Sequence, residues 1–194
     1  MRSPAPVFVQ LITTPGISVA QYESVQSAIG GDRIGGILLS VAGFMDGAMY
    51  SIDVWDTPAS AERFAADRLF PAFERTGNIP DPNVTAVEFD GRMTLPAALP
   101  ATVHTQIARI PGLGLAEYGK VDRAVGPEPA PGHLGHLVGV TAGALYVVDF
   151  WRDHTAVPPF LTGRLYPAFE RAGVIPDPDV TVVAYDARVV VCGE

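Results

Sequence analysis

Residues 68–82 read RLFPAFERTGNIPDP and residues 164–178 read RLYPAFERAGVIPDP, so two closely similar stretches lie 96 residues apart. Extending this alignment without a gap over residues 7–90 and 103–186 keeps about 34 of roughly 84 positions identical. Such a match is far beyond chance, and its period is too long for a solenoid or a propeller. The chain therefore contains two copies of one unit, and each copy is expected to be a small domain.

Within each copy, the spacing of apolar residues predicts the element order β-α-β-β-α-β. In the first copy, strands are predicted at 7–12, 36–42, 48–55 and 84–89, and helices at 17–29 and 57–76. In the second copy, the strands are 103–108, 132–139, 144–151 and 180–191, and the helices are 115–125 and 155–172. Pro71 should kink or divide its helix, and Gly77 should end it.

This element order is typical of the ferredoxin-like unit, a four-stranded antiparallel sheet with both helices on one face. The predicted fold class is α+β, with a first repeat at 1–90, a linker at 91–102 and a second repeat at 103–194. Two such units can cover their open sheet faces by packing on each other as an intramolecular dimeric α+β barrel. A monomer should then be able to form the barrel alone, and pairing into a homodimer stays open.

Composition excludes several classes of partner. Hydrophobic residues make up 48% of the 194 residues, charged residues only 18%, and the formal net charge is −8. Nucleic acids and anionic membranes attract clustered Lys and Arg, which this acidic chain lacks. It also lacks an apolar run long enough for a membrane span, and its single cysteine excludes an internal disulfide. We expect a cytoplasmic protein that binds no nucleic acid and no membrane.

A resemblance to a known family rests on three features that both copies share. A strand ends in IDVW (52–55) or VDFW (148–151), a helix reads RLFPAFERTG or RLYPAFERAG, and a proline-rich segment leads to the last strand. These features resemble the dimeric α+β barrel superfamily, and within it proteins similar to antibiotic biosynthesis monooxygenases. The resemblance implies small-molecule chemistry between sheet and helices, by enzymes that include monooxygenases without metal or flavin, cyclases, isomerases and haem-degrading enzymes.

The histidines point to the second copy as the working half. The alignment pairs each of the four with a residue that cannot titrate near neutral pH: His104 with Phe8, His133 with Ile37, His136 with Ser40, and His154 with Pro58. Histidine exchanges a proton near neutral pH without special tuning. Any acid–base chemistry is therefore expected in the second half.

A hairpin register that pairs Leu134 with Asp149 would put His136 and Asp149 on one face of the sheet. His104 and Gln106 would lie on the neighbouring strand. Such an Asp would orient a histidine and raise its basicity. The predicted catalytic residues are His104, His136 and Asp149, and the predicted substrate-binding residues are Gln106, Tyr146, Trp151 and Arg164.

No cofactor and no metal are predicted. His133 and His136 are three residues apart on a strand, which points them to opposite faces unless a bulge intervenes. Structural readings also stay open: Asp149 and Arg164 could form an ion pair that fixes the helix on the sheet, and the aromatic residues could be core.

The sequence leaves three functions open. The first is a secondary-metabolite enzyme that acts on a small hydrophobic substrate, aromatic or polyketide-like, by cofactor-free oxygenation or by acid–base cyclisation or isomerisation. The second is a non-catalytic ligand-binding or scaffold protein. Haem binding or degradation is the least favoured. An open apolar cavity with a histidine at its wall would favour the enzyme.

Overall fold

The computed structural model describes residues 6–95 and 99–192 and has the predicted element order in each half. The first half comprises β1 (Val7–Pro15), α1 (Val19–Ile29), β2 (Ile37–Met45), β3 (Ala48–Trp55), α2 (Pro58–Phe64), a π-helical segment (Ala65–Leu69), α3 (Phe70–Thr76) and β4 (Thr85–Thr94). The second half comprises β5 (Thr102–Pro111), α4 (Leu115–Val125), β6 (His133–Thr141), β7 (Ala144–Trp151), a 3-10 turn (His154–Ala156), α5 (Val157–Phe160), a π-helical segment (Leu161–Leu165), α6 (Tyr166–Ala172) and β8 (Thr181–Cys192). A mixed fold of helices and antiparallel strands is confirmed.

The doubled stretch forms the interrupted helix of each half. The π-helical segment Ala65–Leu69 immediately precedes the turn that contains Pro71, and Leu161–Leu165 precedes the turn with Pro167. Proline has no amide hydrogen to donate, so the regular ladder is broken at these points, and the wider π turn accommodates the break. Gly77 then ends α3 in the left-handed conformation, at φ 67°. The predicted division of the helix and its stop are confirmed.

Two compact units divide the described residues. The N-terminal unit comprises residues 6–88 and 187–192, and the C-terminal unit comprises residues 89–186. Strands β4 and β8 contribute residues to both units, so the units do not follow the repeat boundaries at 90 and 103. β4 also continues into the first residues of the predicted linker. Residues 1–5, 96–98 and 193–194 lie outside the described residues, and the division into repeat domains and their barrel packing stay predictions.

Each unit contains one antiparallel sheet. In the C-terminal unit the strand order is β5-β7-β6-β4, and in the N-terminal unit it is β1-β3-β2-β8. Phe150 and Trp151 are neighbours on β7 and point to opposite faces, yet neither has exposed surface. Both faces of this strand are therefore covered. None of the helices in the described ranges has the length and apolarity that a membrane crossing requires.

Candidate active site

The C-terminal unit contains a cavity of about 810 Å³. Strands β5 and β7 form one wall and helices α4 and α6 another. Most of the lining is apolar: Ala108, Ile110, Leu113, Val121, Val125, Leu145, Val147, Phe160, Leu165 and Phe169. A cavity of this size and character suits a hydrophobic small molecule, because binding removes apolar surface of the ligand from water.

A β-bulge in β6 brings two histidines to the polar part of this cavity. His133 and Gly135 lie opposite consecutive residues of β7, so Leu134 is an extra residue without a partner there. The extra residue cancels the usual alternation of side chains, and both His133 and His136 line the cavity. The two histidines were expected on opposite faces unless a bulge intervened, and this bulge is that exception.

Gly135 follows the extra residue of the bulge and has a backbone conformation that disfavours a side chain. Its φ is 151°, and a Cβ atom added to it would collide with the carbonyl oxygen of Thr94. A residue with a side chain would be strained by both the conformation and the close approach of the chain. The equivalent residue of β2 is Leu39, so the bulge itself does not require glycine, and it is the approach of Thr94 that requires it here.

The bulge assembles a cluster of four polar side chains. His133 Nε2 lies 3.0 Å from Asp149 Oδ1, and His136 Nε2 lies 3.0 Å from the Tyr118 hydroxyl oxygen. The two imidazole rings are nearly parallel, with centroids 5.8 Å apart. All four residues are partly buried and line the cavity. The cluster thus combines a histidine–carboxylate pair with a histidine–phenol pair.

Burial decides the protonation of the histidine–phenol pair. Desolvation lowers the pKa of His136, and His133 lowers it further, while the charge of Asp149 acts in the opposite direction. Desolvation also raises the pKa of Tyr118, with smaller contributions from Asp122 and Asp149. A neutral imidazole and a protonated phenol are thereby favoured near neutral pH.

The structure places the predicted pair of His136 and Asp149 together. They lie directly opposite each other in the β6–β7 ladder, whereas the sequence-based register paired Asp149 with Leu134. The two registers differ by two residues, so the shared face is the same. His136 and Asp149 therefore both belong to the candidate site.

His104 is held elsewhere. Its Nδ1 lies 2.8 Å from Asp186 Oδ1, and its ring meets that of His154 with centroids 6.1 Å apart. His104 has a neighbouring carboxylate, as a general base requires, but it is not among the residues that line the cavity.

The other predicted substrate-binding residues on the sheet do not line the cavity either. Gln106 lies opposite Asp149 in the β5–β7 ladder. Trp151 is fully buried beneath His133, with ring centroids 4.7 Å apart, and its Nε1 has no partner among the described residues. Tyr146 stacks on Phe89 on the other face of β7. Trp151 thus supports the site and Tyr146 belongs to a different layer.

Arg164 holds a loop of the cavity. Its Nη2 donates to the carbonyl oxygens of Val125 and Glu128, at 3.0 and 2.7 Å. Residues 126–130 of that loop line the cavity. The expected ion pair with Asp149 is replaced by these bonds, because the guanidinium group caps the end of α4 while Asp149 binds His133. Arg164 is a positioning residue for the cavity wall.

Sequence reasoning missed His133 and Tyr118 as parts of the site. His133 was assigned to the opposite face by strict alternation, although a glycine inside a strand, here Gly135, is a known sign of a bulge. Tyr118 has a counterpart in the first copy, Tyr22, so it was not among the differences between the copies that the sequence comparison selected. Its signal is the helical spacing of Tyr118 and Val121, which both face the sheet and line the cavity.

The same cluster contains possible metal ligands. One ligand atom each from His133, His136 and Asp149 lies within 4.8 Å of the other two. Two imidazoles and a carboxylate are ligands that zinc, iron, nickel and cobalt accept. The sequence argument against a metal rested on opposite faces, and the bulge removes that premise.

The N-terminal unit has the same bulge with other side chains. Ile37 and Leu39 lie opposite consecutive residues of β3, so residue 38 is extra there. Asp53 takes the place of Asp149 and accepts a hydrogen bond from Ser40 at 2.7 Å and a longer one from Ser51 at 3.5 Å. Burial raises the pKa of Asp53 to about 6, because these two hydroxyl groups offset only part of the desolvation.

Comparisons with known proteins show the fold. A candidate monooxygenase from Lactobacillus acidophilus shares 16% identity with a TM-score of 0.68, covering 96% of this chain and 100% of its own. One from Fusobacterium nucleatum shares 9% identity with a TM-score of 0.69, covering 97% and 94%. An anthrone oxidase-like protein shares 14% identity with a TM-score of 0.56, covering 96% and 92%. No protein-family model and no curated protein sequence matches this chain. These TM-scores establish a shared fold, and identities this low leave the activity to be argued from the site itself.

Proposed function

We propose that the cavity of the C-terminal unit is the active site of a small-molecule enzyme. It takes a hydrophobic substrate of aromatic or polyketide-like type and removes a proton from a carbon next to a carbonyl group. The observation that carries this proposal is the 3.0 Å contact between His133 and Asp149 at the polar part of a largely apolar cavity. A histidine oriented by a carboxylate beside a substrate-sized space is the arrangement that general base catalysis uses.

His133 is the base in this proposal. Its Nε2–H donates to the ionised Asp149, which leaves the lone pair of Nδ1 to take the proton from the substrate. Asp149 fixes the tautomer and stabilises the imidazolium that forms. His136, predicted from the sequence to be a catalytic base, acts instead with Tyr118 on the substrate oxygen.

Tyr118 and His136 act on the oxygen of the substrate. When His136 Nε2–H donates to the Tyr118 oxygen, the phenolic O–H is left to donate to the carbonyl oxygen as negative charge develops on it. The raised pKa of Tyr118 keeps that proton on the phenol. The two pairs thus divide proton removal and charge stabilisation between them.

The carbanion formed in this way has two outcomes. Return of the proton to another carbon, or attack on a second carbonyl of the same molecule, gives isomerisation or cyclisation. Reaction with molecular oxygen converts a CH₂ group into a carbonyl group, with the second oxygen atom leaving as water. The fold shared with candidate monooxygenases and an anthrone oxidase-like protein supports the oxygenation route.

We further infer that the chain is a tandem fusion of two ferredoxin-like repeats, at 1–90 and 103–194, related to the antibiotic biosynthesis monooxygenase-like proteins of the dimeric α+β barrel superfamily. The gapless repeat and the repeated element order support this origin. Duplication followed by divergence would explain why one half has the histidines.

The test uses anthrone, a tricyclic aromatic ketone with an acidic CH₂ group, as the probe. Thermal shift measures binding, since a ligand specific to the folded state raises the melting temperature. Under nitrogen in D₂O, proton NMR then measures loss of the CH₂ signal by exchange, and an oxygen electrode measures consumption in air. We expect binding and enzyme-dependent exchange. Binding without exchange above the buffer rate would contradict the base role and leave a ligand-binding protein.

A further inference from the structure

We propose that His133, His136 and Asp149 form a binding site for one divalent transition-metal ion of the zinc class. The site uses side chains of the proposed active site, but ion binding does not depend on that activity. The observation behind it is the bulge of β6, which turns an HxxH pair on a strand into two ligands on one side, with Asp149 on the adjacent strand.

The distances suit a shared ion. Bonds of about 2.1 Å at the tetrahedral angle put two ligand atoms about 3.4 Å apart, and His133 Nε2 and Asp149 Oδ1 are 3.0 Å apart. An ion between them would replace the proton that they share. The three ligand atoms lie within 4.8 Å of one another. Side-chain movements of about 1.4 Å or less therefore bring them to the tetrahedral separation.

The chemistry of the ligands selects the ion. Two imidazole nitrogens favour zinc, nickel, cobalt and iron over magnesium and calcium, which prefer oxygen ligands. Three protein ligands leave coordination positions open, and the cluster lines the cavity, so water or a substrate oxygen can occupy them.

Neighbouring groups support a bound cation. The Tyr118 hydroxyl at 3.0 Å from His136 Nε2 can orient that ring as outer-shell partners do. Asp122 and Glu128 also line the cavity, against one cation, Arg123. With Asp149 they give the cavity lining an excess of negative charge.

The N-terminal unit supplies a matched comparison. Its bulge holds Ile37, Ser40 and Asp53 in the three ligand positions, so only the carboxylate is retained. One ion per chain is therefore expected. A second histidine–carboxylate pair, His104 with Asp186, serves as a control because it has two possible ligands and lies off the cavity.

The experiment starts from full-length protein treated with a chelator. Calorimetric titration with Zn²⁺ should give one site per chain, and Co²⁺ should give visible absorption bands that Zn²⁺ abolishes. His133→Ala, His136→Ala and Asp149→Asn should each weaken Zn²⁺ binding about 100-fold or more, while Asp53→Asn and His104→Ala should leave it unchanged. Circular dichroism checks that each variant is folded.

Two results would overturn the site: no Co²⁺ bands with the wild-type protein, or equal affinity in the wild type and the His133→Ala/His136→Ala double variant. The chelator-treated protein is also assayed for anthrone exchange under nitrogen. Exchange without metal binding would reject the metal site and leave the proposed function intact. Metal binding without exchange would do the reverse.

Discussion

The bulge of β2 and the bulge of β6 have the same register and different chemistry. In each, one extra residue turns the strand, and an aspartate lies opposite the residue that follows the bulge by two positions. In β2 the aspartate binds the hydroxyl group of Ser40, while in β6 it binds His133. Both halves thus have the same backbone device, and two histidines are the difference that gives one half reactive groups.

The surroundings of the two aspartates also differ between the halves. Asp53 sits among hydroxyl groups, and its pKa is raised to about 6 by burial. Asp149 faces a cavity of about 810 Å³ and has a histidine as its partner. A buried carboxylate without a cationic partner destabilises its fold near neutral pH, whereas one paired with a histidine can orient a base.

The largest effect is expected from removing the base. His133→Ala and Asp149→Asn should each lower anthrone exchange by about 100-fold or more, because general base catalysis contributes that much. The corresponding changes in the N-terminal unit, Ile37→Ala and Asp53→Asn, should change it less than about twofold. NMR measures the anthrone exchange rate of each variant. Equal loss of exchange from variants of the two units would contradict the division of roles.

Introducing the two histidines into the N-terminal unit should create a second metal site. The double variant Ile37→His/Ser40→His keeps Asp53 and the bulge of β2, so it recreates the ligand set in the N-terminal unit. We expect a second Zn²⁺ per chain, because both histidines and the carboxylate are then present in that unit. Calorimetric stoichiometry measures this. A ratio that stays at one would mean that the bulge alone does not set the ligand geometry.

Replacing the bulge glycine should cost stability as well as function. Gly135→Ala forces a Cβ atom against the carbonyl oxygen of Thr94 at φ 151°, which should lower the free energy of unfolding by about 3 kcal/mol. Gly163→Ala is the control, since its added Cβ atom would meet no atom within 4 Å apart from the neighbouring backbone of its own helix. Urea denaturation compares them. A Gly135→Ala protein as stable as the control would show that the chain at Thr94 can move away from the added Cβ atom.

The smallest effect concerns the pH dependence of stability. The pKa of Asp53 is about 6 in the folded protein against an ordinary 3.8, so the native state binds the proton more tightly than the unfolded state. Its contribution to the free energy of unfolding therefore falls as pH rises from about 4 to about 6 and stays low above that.

Asp53→Asn removes this decline because the amide stays neutral. It should stabilise the protein by about 2 kcal/mol at about pH 8 and have little effect at about pH 4. Urea denaturation of both proteins at the two pH values measures the difference, and Ser24→Ala on exposed α1 surface is the control. A stabilisation that is equal at both pH values would reject burial of the charge as the cause.

The sequence was sufficient to predict the helices and strands, because the signals for them are local. Pro71 and Gly77 act through their own backbone chemistry, and both act as predicted. Tyr146 and Trp151 are five residues apart on one strand, so alternation alone already separates them onto two faces. The assignment of both to one pocket did not apply that rule.

The site depended on features that no local pattern specifies. Leu134 becomes the extra residue only when β6 pairs with β7, so the position of His133 is decided by register. His104 was drawn into the predicted site by strand order, yet its ring is held by Asp186, which is distant in sequence. Pairing between distant residues decides which histidines share a site.

The most direct test of the central claim uses the imidazole signals themselves. The chain has only four histidines, so a two-dimensional ¹H–¹⁵N spectrum of their rings is fully assignable with single variants. On titration with anthrone, the signals of His133 and His136 should shift while those of His104 and His154 stay in place, because only the first two line the cavity. Shifts confined to His104 or His154, or no shift at saturating anthrone, would contradict a functional site built on the bulge of β6.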